Sequence, residues 1–202
     1  MLKDELLSIL SQKWYSERTI KAFEKVKREE FAPENLAPYA YEDIPLPIWT
    51  GATISQPSTI AFMLDLLDER QGQNILEFGS GSWYVLALLS EIIKDGKISG
   101  VEINKKLALN SRKILFKNSI IQVIIRSGSS GLPESAPYDR ILVSFSCHDR
   151  YFPALLMDQL KDPGILVVPI KQSIFQFKKE NGKVTSQEFP GFAFVPMVQK
   201  EG

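Results

Sequence analysis

The stretch from Asn74 to Glu102 reads NILEFGSGSWYVLALLSEIIKDGKISGVE. The apolar run Ile75–Phe78 predicts a strand that ends in the tight turn Gly79–Gly81. Apolar residues at helical spacing follow over Val85–Ile93, and a second apolar run, Ile98–Val101, stops on an acid. The order strand, glycine turn, helix and strand is typical of a parallel βαβ unit.

Such a unit binds a nucleoside at the carboxyl ends of its strands, where bare backbone and a helix N-terminus face the ligand. Glu102 ends the second strand about 20 residues past the glycines, so its carboxylate is expected to accept both ribose hydroxyls. The dinucleotide pattern G-x-G-x-x-G needs a third glycine, but Gly81 is followed by Ser82, Trp83 and Tyr84. A dinucleotide oxidoreductase is therefore disfavoured.

Composition limits the remaining possibilities. The chain has 202 residues, 44% of them hydrophobic, and 24 basic side chains balance 24 acidic ones. These values predict one α/β domain and give no indication of a nucleic-acid or anionic-membrane partner. No run has 18 apolar residues and the first residues do not resemble a signal peptide, so we expect a cytoplasmic protein. Cys147 and His148 are the only residues of their types, which excludes an internal disulfide and disfavours a histidine-rich metal site.

Residues 1–57 are expected to form a helical cap and a proline-rich loop, and residues 58–202 the core. Leucines from Leu2 to Leu10 have helical spacing, and a second helix is predicted from Glu17 to about Val26 with Ser16 as its N-cap. Pro38, Pro45 and Pro47 are expected to keep the next segment out of regular structure. A long ordered loop of this kind is usually functional.

The second half of the chain predicts a mixed sheet with an antiparallel edge. Further strands are expected at Ile121–Ile125, Tyr138–Ser144 and Gly164–Ile170. A helix around Ala154–Leu160 is expected to end at Asp162-Pro163-Gly164, and Asn181-Gly182 indicates a hairpin between two edge strands.

The pattern E-x-G-x-G, with Glu77 at the strand end, resembles motif I of the class I S-adenosylmethionine-dependent methyltransferases. This resemblance implies a Rossmann-like three-layer sandwich, and an acid at position 77 would favour the cationic sulfonium. Other stretches resemble a narrower family, the protein-L-isoaspartate O-methyltransferases. They are KVKREEFAPE, AYEDIPLPI, TISQP at Thr53–Pro57, SGSSGLPESAPYDRI at Ser127–Ile141 and FVPM at Phe194–Met197. The resemblance extends from about Ala22 to Met197.

The resemblance implies methylation of the α-carboxylate of L-isoaspartyl residues in damaged proteins and peptides, with S-adenosylmethionine as the cofactor and protein repair as the outcome. Ser55 would donate a hydrogen bond to the accepting carboxylate, whereas its residue type alone favours a turn or N-cap role before the next helix. Thr53, Ile54 and Val195 would hold the substrate. The cofactor would contact Glu77, Gly79, Ser80, Gly81, Glu102, Ile103, Ser127 and Gly128.

Three departures from the family pattern leave a second interpretation open. Trp83 replaces a glycine, which raises the question of whether its indole crowds the methionine moiety. Ser127 replaces an acid that accepts the adenine amino group, a change that costs on the order of 1.5–3 kcal/mol. Trp49 and Ala52 alter the rim of the substrate pocket. The alternative is a related protein with a changed substrate or no catalysis that binds a peptide or protein. A hydrolase based on Ser146-Cys147-His148-Asp149 is disfavoured, because neighbours in sequence cannot form a triad.

Overall fold

The computed structural model of the chain describes residues 1–49, 51–109, 118–127 and 130–196. Its centre is a seven-stranded sheet in which the strand of the glycine motif lies third from one edge. The strands of this sheet are β3 (Asn74–Phe78), β4 (Lys97–Glu102), β5 (Ile121–Ile125), β6 (Tyr138–Val143), β7 (Leu160–Ile170), β8 (Ser173–Glu180) and β9 (Lys183–Pro190). A separate antiparallel pair consists of β1 (Leu46–Trp49) and β2 (Ala52–Ile54).

The strand order β5-β4-β3-β6-β7-β8-β9 combines a parallel part with an antiparallel edge. β5, β4, β3, β6 and β7 are parallel, and β8 and β9 are added antiparallel. The chain runs outward from β3 to β5 and then returns to the other side of β3 as β6. This reversal makes the carboxyl end of β3 the switch point of the sheet, where α/β proteins bind their ligands.

Helices cover both faces of the sheet, because the central strands are buried on both faces. The helices are α1 (Lys3–Gln12), α2 (Glu17–Lys25), α3 (Pro57–Leu67), α4 (Tyr84–Ile93) and α5 (Tyr151–Met157). One core cluster joins α1 to α4 to one face and includes Leu10, Phe23, Leu64 and Leu88. A second cluster on the other face packs Phe152 and Leu156 of α5 against strand residues. The predicted three-layer α/β sandwich is therefore confirmed.

Most predicted elements are confirmed, including the N-terminal helices, the Ser16 cap and the hairpin at Asn181-Gly182. The predicted helix at Ala154–Leu160 was placed too late, since α5 ends at Met157. Asp162-Pro163-Gly164 does not end a helix but lies inside β7, which begins at Leu160. The proline was interpreted as a helix stop, although it also occurs near strand starts and irregular pairings. The pairing of β6 with β7 shifts register in this region.

The proline-rich segment contains more regular structure than its prolines suggested. Pro38 lies inside a short 3₁₀ helix, Glu34–Tyr39, and Pro47 lies in β1. Proline is compatible with both places. Pro38 is the second residue of a turn closed by the Ala40 amide and the Ala37 carbonyl, a position that proline favours, and a short edge strand does not need every donor. The expectation that these prolines exclude regular structure was wrong for this segment. No helix among the described residues is long and apolar enough to cross a membrane.

Candidate functional site

The glycine turn after β3 brings bare backbone to the carboxyl end of the sheet. Gly79 and Gly81 have φ angles of +77° and +49°, in the left-handed region that favours glycine. A Cβ atom on Gly79 would lie 2.7 Å from Cδ1 of Phe145, so the turn also needs glycine for space. The amides of Gly79 and Ser80 donate to the carbonyl of Val101, at 2.9 and 3.3 Å. These bonds fix the turn against the end of β4.

Glu102 fastens the same turn from the neighbouring strand. Its Oε2 accepts a hydrogen bond from the Gly81 amide, and its Oε1 accepts one from the Asn104 amide, each at 2.8 Å. The residue is 7% exposed and borders the cleft next to Ile103. Each carboxylate oxygen can accept more than one hydrogen bond, so these contacts leave room for the predicted bonds to ribose hydroxyls.

Glu77 lies beneath the turn and is fully buried. Its Oε1 accepts a hydrogen bond from the Ser144 hydroxyl at 2.8 Å, while Oε2 has no hydrogen-bond partner among the described residues. Burial raises the pKa of Glu77 to about 8, the nearby hydroxyls of Ser144 and Ser80 oppose that rise, and the negative charge of Glu102 adds to it. The carboxyl group is therefore mostly neutral at neutral pH, and a cation nearby would favour its ionised form.

Two adjoining clefts open beside the turn. The first runs over the ends of β3 and β4, and the second runs under the turn towards α3 and α4. Among the residues that border the first are Gly51, Ala52, Phe78, Val101, Glu102, Ile103, Arg126, Phe145 and Val195. The second is bordered by residues that include Ile54, Ser55, Met63, Glu77, Ser80, Ser82 and Phe194. Thr53, Gly79, Gly81 and Ser144 border both clefts. An apolar cleft with a few converging polar groups is typical of small-ligand sites.

A surface groove continues outward from Ser55. It lies between the start of α3, with Gln56 and Ser58, and the extended residues 191–196. The Ser55 hydroxyl makes no hydrogen bond to the described part of the chain, so it is available to a ligand. Helix α3 has Gln56 as its N-cap residue, without a side-chain cap bond. The N-cap role that residue type alone favoured for Ser55 is therefore wrong.

The predicted site residues are largely brought together. Four groups of them border the clefts described above: the residues of the glycine turn, those at the end of β4, residues 53–55, and Val195. Gly128, Met197 and the side chain of Trp49 lie outside the described residues. Ser127 follows Arg126, which itself borders the first cleft. Sequence reasoning missed Ser144 and Phe145, whose one available signal was their position directly after a buried strand.

Trp83 does not border either cleft. Its side chain is 1% exposed and packs in the core cluster between the helices and the sheet, next to α4. Its backbone has a φ of +71°, so a large side chain holds the left-handed position where the family pattern has glycine. The indole therefore does not crowd the clefts that the described residues form.

Cys147 and His148 form no reactive pair. Cys147 is buried, and burial raises the pKa of its thiol to about 12, which disfavours the nucleophilic thiolate. Cys147 lies instead against the end of β7, because its backbone amide donates a hydrogen bond to the carbonyl of Pro169. No group of three or more potential ligand side chains among the described residues could hold a metal ion.

A mostly parallel sheet covered on both faces, with a glycine turn beside an acidic strand end, defines a Rossmann-like fold of the class I methyltransferase type. The chain is similar to a protein-L-isoaspartate O-methyltransferase of solved structure, with a TM-score of 0.87 and 28% identity over 100% of this chain and 67% of that one. A second solved structure, from Plasmodium falciparum, has a TM-score of 0.82, 23% identity and coverage of 96% and 97%. That protein is described as a putative protein-L-isoaspartate O-methyltransferase, in complex with S-adenosyl-L-homocysteine.

Sequence comparison identifies the family. The model described as Protein-L-isoaspartate(D-aspartate) O-methyltransferase matches residues 1–202. The protein-L-isoaspartate O-methyltransferase of Methanopyrus kandleri is 41% identical over 93% of this chain and 86% of its own length. The chain belongs to the protein-L-isoaspartate O-methyltransferase family.

Proposed function

We propose that the chain transfers the methyl group of S-adenosylmethionine to the α-carboxylate of L-isoaspartyl residues in peptides and damaged proteins. Family membership supports the reaction class. The observation that carries the proposal for this chain is the position of Ser55. Ser55 borders both the cleft under the glycine turn and the groove that leads to the surface, and its hydroxyl makes no hydrogen bond to the described residues. A peptide carboxylate in the groove would therefore lie next to a ligand in the cleft.

The residues at the turn fit S-adenosylmethionine. The positive φ of Gly79 and Gly81 opens bare backbone to a ligand that carries no phosphate. Glu102 supplies carboxylate oxygens for ribose hydroxyls, and Ile103 supplies apolar surface beside them. Glu77 offers an unpaired buried oxygen beneath the turn. We assign Ser80 to the same binding set, and Ser127 and Gly128 to the adenine end, on the resemblance of their motif.

Bound S-adenosylmethionine supplies an electrophilic methyl group on a sulfonium. The accepting carboxylate is already ionised at neutral pH, because a carboxylic acid has a pKa of about 4. The protein therefore needs no general base, which agrees with a site that contains no histidine among its bordering residues. Its contribution is to hold the carboxylate in line with the methyl group and to exclude water.

Ser55 is assigned to orient the carboxylate by donating its hydroxyl proton in a hydrogen bond. Thr53 and Ile54 precede it at the end of β2, and Val195 lies across the groove. We assign these three residues to the main chain of the substrate. The carbonyl of Val195 accepts a hydrogen bond from the Ser146 amide at 2.8 Å, which fixes this part of the groove to the end of the sheet.

The test is transfer of a labelled methyl group to a peptide that contains L-isoaspartate, with the matching aspartyl peptide beside it. We expect transfer to the isoaspartyl peptide alone. Ser55→Ala should lower kcat/KM for the peptide about tenfold to a hundredfold, since a hydrogen bond to a charged group contributes about 1.5–3 kcal/mol. Its cofactor Kd should stay unchanged. Ser186→Ala, an exposed serine on β9, is the matched control.

Glu102→Ala separates the cofactor from the peptide. This variant should raise the Kd for S-adenosylhomocysteine about tenfold to a hundredfold, measured by calorimetry. No methyl transfer by the folded wild-type protein at saturating cofactor would contradict the proposal. Cofactor binding without transfer would then favour the interpretation as a peptide-binding relative.

A further inference from the structure

Arg28 is a buried charge outside the clefts. It begins a 3₁₀ turn, Arg28–Phe31, that follows α2, and its side chain is 0% exposed. A buried guanidinium is costly unless it is paired and hydrogen-bonded. Among the described residues no carboxylate lies within ion-pair distance of it. The charge must therefore be compensated in another way.

The acceptors of its hydrogen bonds are backbone carbonyls from two separate stretches of chain. Nη1 donates to Ala40 at 2.7 Å and Glu42 at 3.3 Å, and Nη2 donates to Ile44 at 3.1 Å, Ser55 at 3.0 Å and Ile54 at 3.5 Å. The first three carbonyls precede the β1–β2 pair and the last two end it. One side chain therefore joins both ends of this hairpin.

Two of those carbonyls belong to residues that border the second cleft. Ile54 is the end of β2 and Ser55 its continuation; β2 pairs with β1, and the side chain of Ile54 packs in the core. The bond from Arg28 to the Ser55 carbonyl fixes the backbone of the residue whose hydroxyl faces the clefts. The β1–β2 pair is separate from the seven-stranded sheet, so loss of these bonds can displace the loop without loss of the sheet.

We infer that Arg28 is the positioning residue of the active-site loop, because it fixes the backbone of Ile54 and Ser55 through hydrogen bonds to their carbonyls. This inference rests on the proposed methyl transfer for its kinetic consequence, but not for its structural one. A displacement of about 1 Å at a reacting group can cost on the order of a hundredfold in rate. The effect should therefore fall on the peptide and spare the cofactor.

The role requires arginine and not only a positive charge. A guanidinium presents donors on two terminal nitrogens in a rigid plane, so it can serve carbonyls on both sides at once. Lysine has one ammonium group on a flexible stem and cannot bridge both stretches in this way. Burial lowers the pKa of Arg28 to about 10, so arginine remains charged at neutral pH in this place.

Arg28→Lys is the test and Arg140→Lys is its matched control. Arg140 also donates to backbone carbonyls, those of Asp68 and Asp139, but at the opposite end of the sheet. The first readout is amide hydrogen exchange of the segment 52–58 in the folded proteins. The second comprises kcat/KM for the isoaspartyl peptide and the Kd for S-adenosylhomocysteine.

Arg28→Lys should lose protection in the segment 52–58, keep the protection of β3 to β6, and lower kcat/KM at least tenfold with the Kd within twofold of wild type. Arg140→Lys should leave all of these unchanged. Any one of three results in Arg28→Lys would overturn the inference. They are wild-type protection at 52–58, a loss of protection that is equal across the sheet, and an unchanged kcat/KM. If the wild-type protein transfers no methyl group, the proposed function fails, and the exchange measurement alone decides on Arg28.

Discussion

The glycine turn at residues 79–83 and the proline-rich segment at residues 28–58 border the same clefts, but they are organised differently. The shape of the turn follows from local backbone preference. Gly79 and Gly81 have positive φ angles, and backbone hydrogen bonds join the turn to the end of β4. The proline-rich segment depends on two of its own side chains, Arg28 and Asp43, which contact backbone 12 to 27 residues further along the chain. Arg28 donates to five of its carbonyls, and Asp43 accepts from the first turn of α3.

This difference predicts that substitutions in the two regions have different effects on the protein. Substitutions in the turn should act on core stability and cofactor binding together, because the turn lies on the buried sheet. Substitutions in the proline-rich segment should act on the peptide reaction, with smaller effects on stability. Variants in each of the two regions test this division.

Trp83 gives the largest expected effect on stability. Trp83→Ala removes a 1% exposed indole from the core and should lower the free energy of unfolding by about 3–5 kcal/mol. Trp83→Gly removes the same contacts but relieves the left-handed backbone, whose φ is +71°. It should therefore be more stable than Trp83→Ala by about 1 kcal/mol, since a residue with a Cβ is disfavoured there. Urea unfolding of both variants measures the difference.

The order of these two variants is the informative result, because glycine is usually less stable than alanine inside regular structure. A Trp83→Gly protein that is less stable than Trp83→Ala would show that the backbone at this position is not strained. The turn would then owe its shape to packing, and its contrast with the proline-rich segment would be weaker.

The same contrast explains what the sequence could predict. The glycine turn, Glu102 and the parallel strands were found because each is encoded by adjacent residues with a fixed spacing. The family resemblance added Ser55 and Val195, which no local pattern could join to the turn. Arg28 was not found, since nothing in its sequence neighbourhood separates a buried arginine from the exposed charges beside it. Its carbonyl partners lie 12 to 27 residues away.

The pH dependence of stability that Glu77 causes is a second test of the turn region. Its pKa is raised to about 8 in the folded protein, against about 4.3 in an unfolded chain. The folded state therefore binds more protons between these values, and the stability of the wild-type protein should fall as pH rises from 5 to 8. Glu77→Gln stays neutral and keeps the bond with Ser144. Its stability advantage over wild type should therefore be larger at pH 8 than at pH 5, by about 3–4 kcal/mol.

Urea unfolding at both pH values measures this effect, with Glu24→Gln as the control on the exposed face of α2. The control should change stability equally at pH 5 and pH 8. Parallel pH dependences of wild type and Glu77→Gln would show that the carboxyl group is ionised in the folded protein. In that case the negative charge would already be present before a cationic ligand binds.

Asp43 gives the smallest expected change in stability and probes the proline-rich segment. Its Oδ1 accepts a hydrogen bond from the Ser58 amide at 2.8 Å, and its Oδ2 pairs with Lys13 at 3.2 Å. Burial raises the pKa of Asp43, but hydrogen bonds from Ser58, Gln56 and Lys13 together hold it below its usual value. Asp43→Ala should lower the free energy of unfolding by about 1 kcal/mol, as for loss of a helix cap.

The pH dependence of Asp43 follows from the lowered pKa. Its contribution should be present above the unfolded pKa of about 3.9 and be lost as pH falls through the lower folded value. Asp162→Ala is the matched control, because each oxygen of Asp162 likewise accepts one hydrogen bond, here from the backbone amides of Asn181 and Gly182 at the far edge of the sheet. Both variants should lose similar stability. Only Asp43→Ala should also lower kcat/KM for the isoaspartyl peptide, because Ser58 lies in the first turn of the helix that follows Ser55. Equal kinetics for the two variants would mean that the peptide reaction tolerates loss of this anchor.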